Sequence, residues 1–190
     1  MRGSKHSIKI SAMKPTRLIF ILALGISPLV HGQNTPYAGQ QARDIKALSD
    51  QERADLASGA GAGYAKAAEL NRYPGPSHVL ELAAQLHLSP QQLEATKRLL
   101  EEHKSEARRL GAAVIDAERE LDREFASGRA EHDTVRKITL EIGKLQAQLR
   151  YEHLKNHLAQ TALLQPHQVA RYMELRGYTG TAPAAGGHKH

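Results

Sequence analysis

Two histidines, His153 and His157, stand four residues apart in the stretch YEHLKNHLAQ. On a helix that spacing is about one turn, which lets two imidazoles on one face share a metal ion. The same spacing arises by chance on solvated helices, where neither ring binds anything. The two readings differ in whether the fold brings further donors to the same level. His103 and His78 are the candidates for that role, and Glu152 or Glu102 could complete the site or orient a ring. The chain has no cysteine, which excludes thiolate ligands. Imidazole donors suit Zn²⁺, Ni²⁺, Co²⁺ or Cu²⁺ and disfavour Ca²⁺ or Mg²⁺.

The elements that must carry these residues read as helices. Ser77 is expected to cap a helix to about His87 that bears Val79, Leu82, Ala83 and Leu86 on one face. LSPQQ starts the next. Ser89 is its cap, Pro90 its first residue, and Gln92 the third-position side chain that reaches back to the cap. No breaker is read before Gly128, so this helix should be roughly 55 Å long. Leu93, Leu100, Ala107, Val114 and Leu121 recur along it every seven residues, with Thr96, His103, Leu110 and Ala117 between them. FASGRAEHD turns the chain. A return helix to about Leu164 then presents Val135, Ile138, Ile142, Leu145 and Leu149. LQPHQ repeats the start signal with Pro166 and Gln168, although Gln165 is a poor cap, and opens a last helix with Val169, Tyr172, Met173 and Leu175. The expected fold is all-α, a long antiparallel helical hairpin with short flanking helices in a cradle-like form.

This arrangement tests the histidines by level. A turn near residue 129 puts His103 opposite residue 155, midway between His153 and His157. His103 falls near the centre of its apolar stripe, and the other two lie toward the same seam. His78 comes within about a turn of His103 when the preceding helix folds back. Three level histidines with a fourth nearby make His103, His153, His157 and His78 the expected metal set. For His103 alone, the plainer reading is a core ring bonded to a carbonyl. His87, His132 and His167 sit at helix ends, where exposure is expected.

The chain ends read differently. MKPTRLIFILALGISPLVHGQ has a basic start, a 13-residue apolar run from Leu18 to Val30 and small residues before Gln33, which together form an export signal. Residues 1–32 are read as this signal with an upstream extension. A retained signal anchor in the inner membrane is the alternative. Those residues hold five of the 26 Lys and Arg and none of the 20 acids, so the remainder is near neutral and no nucleic-acid partner is expected. Residues 33–76 read as an irregular leader. Ser49 and Glu52 form a capping box there, a second short helix runs from Tyr64 to Leu70, and NRYPGPS breaks the chain. Residues 77–176 are the helical domain and 177–190 a disordered tail.

LSPQQ and LQPHQ, flanking a long hairpin in a small exported chain, resemble the repeated L-T-x-x-Q motif of the Spy/CpxP family and its metal-binding relatives of the ZraP and CnrX type. Leu88 to Gln92 keep the motif with Ser for Thr, and Leu164 to Gln168 keep only Leu and Gln. AAELNRYPGPSHVLEL is also similar to stretches in exported metal sensors and resistance proteins. The resemblance covers about residues 64–178. It implies a periplasmic homodimer of interlocked hairpins, either a sensor or buffer of zinc, nickel, cobalt or copper, or a chaperone for unfolded exported proteins. The metal-binding branch draws on its first helix and on a pair four apart before the second motif. His153 and His157 match that pair, while Leu82 stands where His78 would need its own partner.

The main expectation is thus a periplasmic metal-binding protein whose partners are metal ions, a second copy and possible clients or a membrane-bound signalling protein. The alternative is an ATP-independent chaperone using Lys97, Arg98, Lys104, Arg108 and Arg109 beside the apolar stripe, although alternating charge usually marks a solvated face. No nucleophile arrangement appears, so no enzyme is expected.

Overall fold

The computed structural model describes residues 36–179; the expected signal and most of the expected tail lie outside them. Among the described residues there are six α-helices and no strand. A 3-10 turn at Gln40–Ala42 precedes α1 (Asp50–Ser58), α2 (Lys66–Glu69), α3 (Pro76–Glu81), α4 (Pro90–Ala126), α5 (His132–Leu163) and α6 (Pro166–Leu175). None of these helices is long and apolar enough to cross a membrane.

The hairpin of α4 and α5 follows the expected register. Ala107, Leu110, Val114 and Ala117 of α4 are buried, as are Ile138, Ile142 and Leu149 of α5. The α4 start also forms as its chemistry requires. Ser89 accepts from Gln92 N at 3.1 Å and Gln92 Oε1 accepts from Ser89 N at 2.9 Å, which satisfies donors that an open helix end leaves bare.

The two motif glutamines do more than cap. Gln92 Nε2 donates to Gln168 Oε1 at 2.8 Å, and Gln168 Nε2 donates to Gln92 Oε1 at 3.1 Å. Gln92 Nε2 also reaches Leu163 O at 2.8 Å, and Gln168 Nε2 reaches Leu86 O at 3.1 Å. The reciprocal pair therefore fastens the start of α4 to the start of α6 and to the chain segments entering both helices. This contact gives the repeated motif a structural reason.

Two local readings are corrected. α3 begins at Pro76 with Gly75 as its cap residue, so Ser77 lies inside the first turn, and the helix ends at Glu81 rather than His87. Proline at the first helical position needs no hydrogen-bond partner for its nitrogen, which moves the start two residues earlier. α2 covers only Lys66–Glu69 of the expected 64–70 helix.

The leader packs into the core. Ile45, Leu48 and Leu56 form one apolar cluster with Ala107, Leu110, Val114 and Leu149. α1 lies against α4 at Gly111, where a Cβ would run into the Leu56 carbonyl oxygen. That glycine in mid-helix permits the close backbone approach. A second cluster joins Val79 and Leu86 to Val169, Tyr172 and Met173, seating α6 on the α3 segment.

Candidate metal centre

All four expected histidines line one cavity of about 260 Å³, with Gly75 and Lys104 among its other walls. α4 supplies His103, α5 supplies His153 and His157, and α3 supplies His78. The level argument holds: His103 faces Glu152 and Asn156, the residues on either side of the predicted crossing.

Within the cavity the four rings form two pairs. His103 and His153 meet edge to face with centroids 4.6 Å apart, and Tyr64 stacks on the far side of His153 at 5.7 Å. Both rings are at least nine-tenths buried. Burial pushes His103 below the ordinary histidine range, partly opposed by Glu152. It pushes His153 down to about 4, with the neighbouring His103 adding to the shift. Both imidazoles are therefore neutral at neutral pH, the form that can offer a lone pair to a metal.

Nitrogen protonation follows from the partners. Asn156 Nδ2 gives its hydrogens to Glu152 O at 2.7 Å and Glu152 Oε1 at 2.8 Å. The same Nδ2 stands 3.1 Å from His103 Nδ1, nearer than Glu152 Oε1 at 3.4 Å. Lys155 Nζ balances that carboxylate at 2.6 Å from Oε2. His157 Nδ1 lies 2.6 Å from Tyr73 O, and a carbonyl only accepts, so this ring is an Nδ1–H tautomer. In His157 the bare lone pair is on Nε2. His153 Nε2 is buried without a hydrogen-bond partner.

His78 and His157 form the second pair, gathered by a carboxylate the sequence reading did not single out. Glu69, 8 % exposed, stands 3.4 Å from His78 Nδ1 and 3.7 Å from His157 Nδ1. It also accepts from Gly75 N at 3.2 Å and from the Tyr172 hydroxyl, with Arg176 Nε 3.8 Å away. Glu69 is brought there by the irregular run 70–75, which has no periodicity to reveal the contact. Glu102 is exposed and does not share the cavity wall.

The anticipated His153–His157 clamp is thus divided. His153 turns to His103 and His157 turns to Tyr73 and Glu69. His157 packs so close to Gly75 that a Cβ there would lie 2.8 Å from its ring. Among the described residues no three His, Asp or Glu groups already stand together as a finished ion site. His87, His132 and His167 are exposed as expected.

The same seam continues as a polar strip toward the end of α5. Thr96 and Gln160 are fully buried, and neither the threonine hydroxyl nor the glutamine amide has a partner. No family model, curated protein or solved structure matches the chain.

Proposed function

We propose that this chain is an exported, periplasmic metal-binding protein, a sensor or buffer, that takes Zn²⁺, Ni²⁺, Co²⁺ or Cu²⁺ on imidazole nitrogens in the histidine cavity. One observation carries the reading: four histidines from three helices line one cavity, and its most buried imidazole nitrogen, His153 Nε2, has no partner. A buried polar atom left unpaired costs about 1–3 kcal/mol, which a bound ion would recover. The donor set fits the borderline metals, and the Nδ1 anchors on Glu152 and Tyr73 resemble the outer-shell contacts that hold metal-binding histidines. Loading an ion requires side-chain movement, with the two pairs drawn together across the cavity.

A second reading has its own observation. At the far end of the hairpin Phe125 and Leu140 are more than half exposed beside a groove of about 650 Å³. That surface suits an unfolded client or a second copy of this chain.

Calorimetric titration with each metal, beside a His103→Ala/His153→Ala variant, separates the two. The metal reading expects micromolar or tighter binding that the double substitution abolishes. Binding that survives the substitution, or is absent altogether, would overturn it. Suppression of client aggregation in the presence of chelator would then favour the chaperone.

A further inference from the structure

We infer that Glu69 is the positioning residue through which metal occupancy of the histidine cavity is transmitted to α6, an inference that rests on the metal-binding reading above. Glu69 stands against two of the cavity histidines and is hydrogen-bonded to α6. On the cavity side it faces His78 Nδ1 at 3.4 Å and His157 Nδ1 at 3.7 Å. On the other side it accepts the hydroxyl hydrogen of Tyr172, a fully buried residue in the middle of α6. Gly75 N anchors it at 3.2 Å.

The Tyr172 hydroxyl and the Gly75 amide both donate to it, so the site favours an acceptor-only side chain. An ionised carboxylate supplies that, and a glutamine would turn its NH₂ toward one of the donors. The coupling has a direction. A cation bound at Nε2 withdraws charge from the ring and makes Nδ1–H a stronger donor. His78, whose Nδ1 stands 3.4 Å from the carboxylate, then holds Glu69 more firmly, and Glu69 holds the Tyr172 hydroxyl. α6 should therefore be more tightly docked in the loaded protein, while the apolar contacts of Tyr172 with Val79 and Leu86 stay as they are.

Amide hydrogen exchange read by mass spectrometry tests this on the full chain, with and without Zn²⁺. Peptides from residues 153–163 report occupancy, and peptides from residues 166–176 report α6. In the wild type, Zn²⁺ should slow exchange in both, by about fivefold or more in α6. Tyr172→Phe keeps the ring and deletes only the hydroxyl. It should retain the protection of 153–163 and lose that of α6. Glu69→Gln should lose the α6 protection as well. Histidine nitrogen NMR of this second variant without metal should show the His78 ring signals shifted, with His157 still held in its Nδ1–H form by Tyr73 O.

If Zn²⁺ protects residues 153–163 but not α6 in the wild type, the relay is wrong and the metal reading stands. Undiminished α6 protection in Tyr172→Phe would also overturn it, because transmission would then run through the apolar α3–α6 contact. If Zn²⁺ protects neither segment, the metal reading fails and takes the relay with it.

Discussion

His153 shows how burial decides the chemistry of a single residue. Its ring is 3 % exposed, stacked by Tyr64 and met by His103, and its pKa falls to about 4. An unfolded histidine titrates near 6.5. Above that value both states are neutral and the group adds no pH dependence. As pH falls from about 6.5 toward 4, the unfolded chain takes up a proton that the folded chain refuses. The metal-free protein should lose about 3 kcal/mol of stability from this group over that interval. His103 shifts in the same direction and adds to the loss. Urea unfolding at about pH 7, 5.5 and 4.5 checks the sign. The slope should flatten in His153→Leu, and an unchanged slope would place the pH sensitivity elsewhere. The four histidines were legible at this scale from residue type and helical spacing. Their pairing was not, because it depends on Tyr73 O and Glu69, which the irregular segment 70–75 delivers.

Two glycines separate what a helix prefers from what its packing permits. Gly111 and Gly143 both lie inside long helices, where alanine is favoured by about 1 kcal/mol. Around Gly143 a Cβ would meet nothing within 4 Å, so Gly143→Ala should stabilise the protein by about 0.5–1 kcal/mol. At Gly111 a Cβ would strike the Leu56 carbonyl, so α1 must move off α4 and draw Leu56 away from its cluster with Ala107, Leu110 and Val114. Gly111→Ala should therefore cost about 2 kcal/mol despite its better helix propensity. Denaturant midpoints of the two variants should move in opposite directions. The helices themselves were legible from caps and apolar periodicity, including the bounds of α4 and α5 to within a residue or two. The seating of α1 was not, because a glycine in a helical pattern carries no sign of what approaches it.

At the scale of the whole molecule, the Gln92–Gln168 pair closes the fold by joining residues 76 positions apart. Gln92→Ala and Gln168→Ala should each cost about 1–2 kcal/mol, since each removes a cap acceptor and strands its partner amide. Their double mutant should cost about 1 kcal/mol less than the sum, and additive losses would mean the two amides act independently. The motif pointed to these residues as helix starts, since local capping is written within four consecutive positions. That the two caps clasp each other is a long-range fact. The same division runs through the protein. By itself the sequence determined the bounds of the two long helices, the start of α6, which faces are apolar, and that the long helices fold back with His103 opposite residue 155, because these follow from hydrogen bonds and periodicities a few residues long. Only the tertiary structure decided that the leader fills the core, that His153 turns to His103 and not to His157, and that Glu69 spans the cavity and α6. Those outcomes depend on contacts between distant segments and on burial, and burial sets the charge of the groups that would do the chemistry.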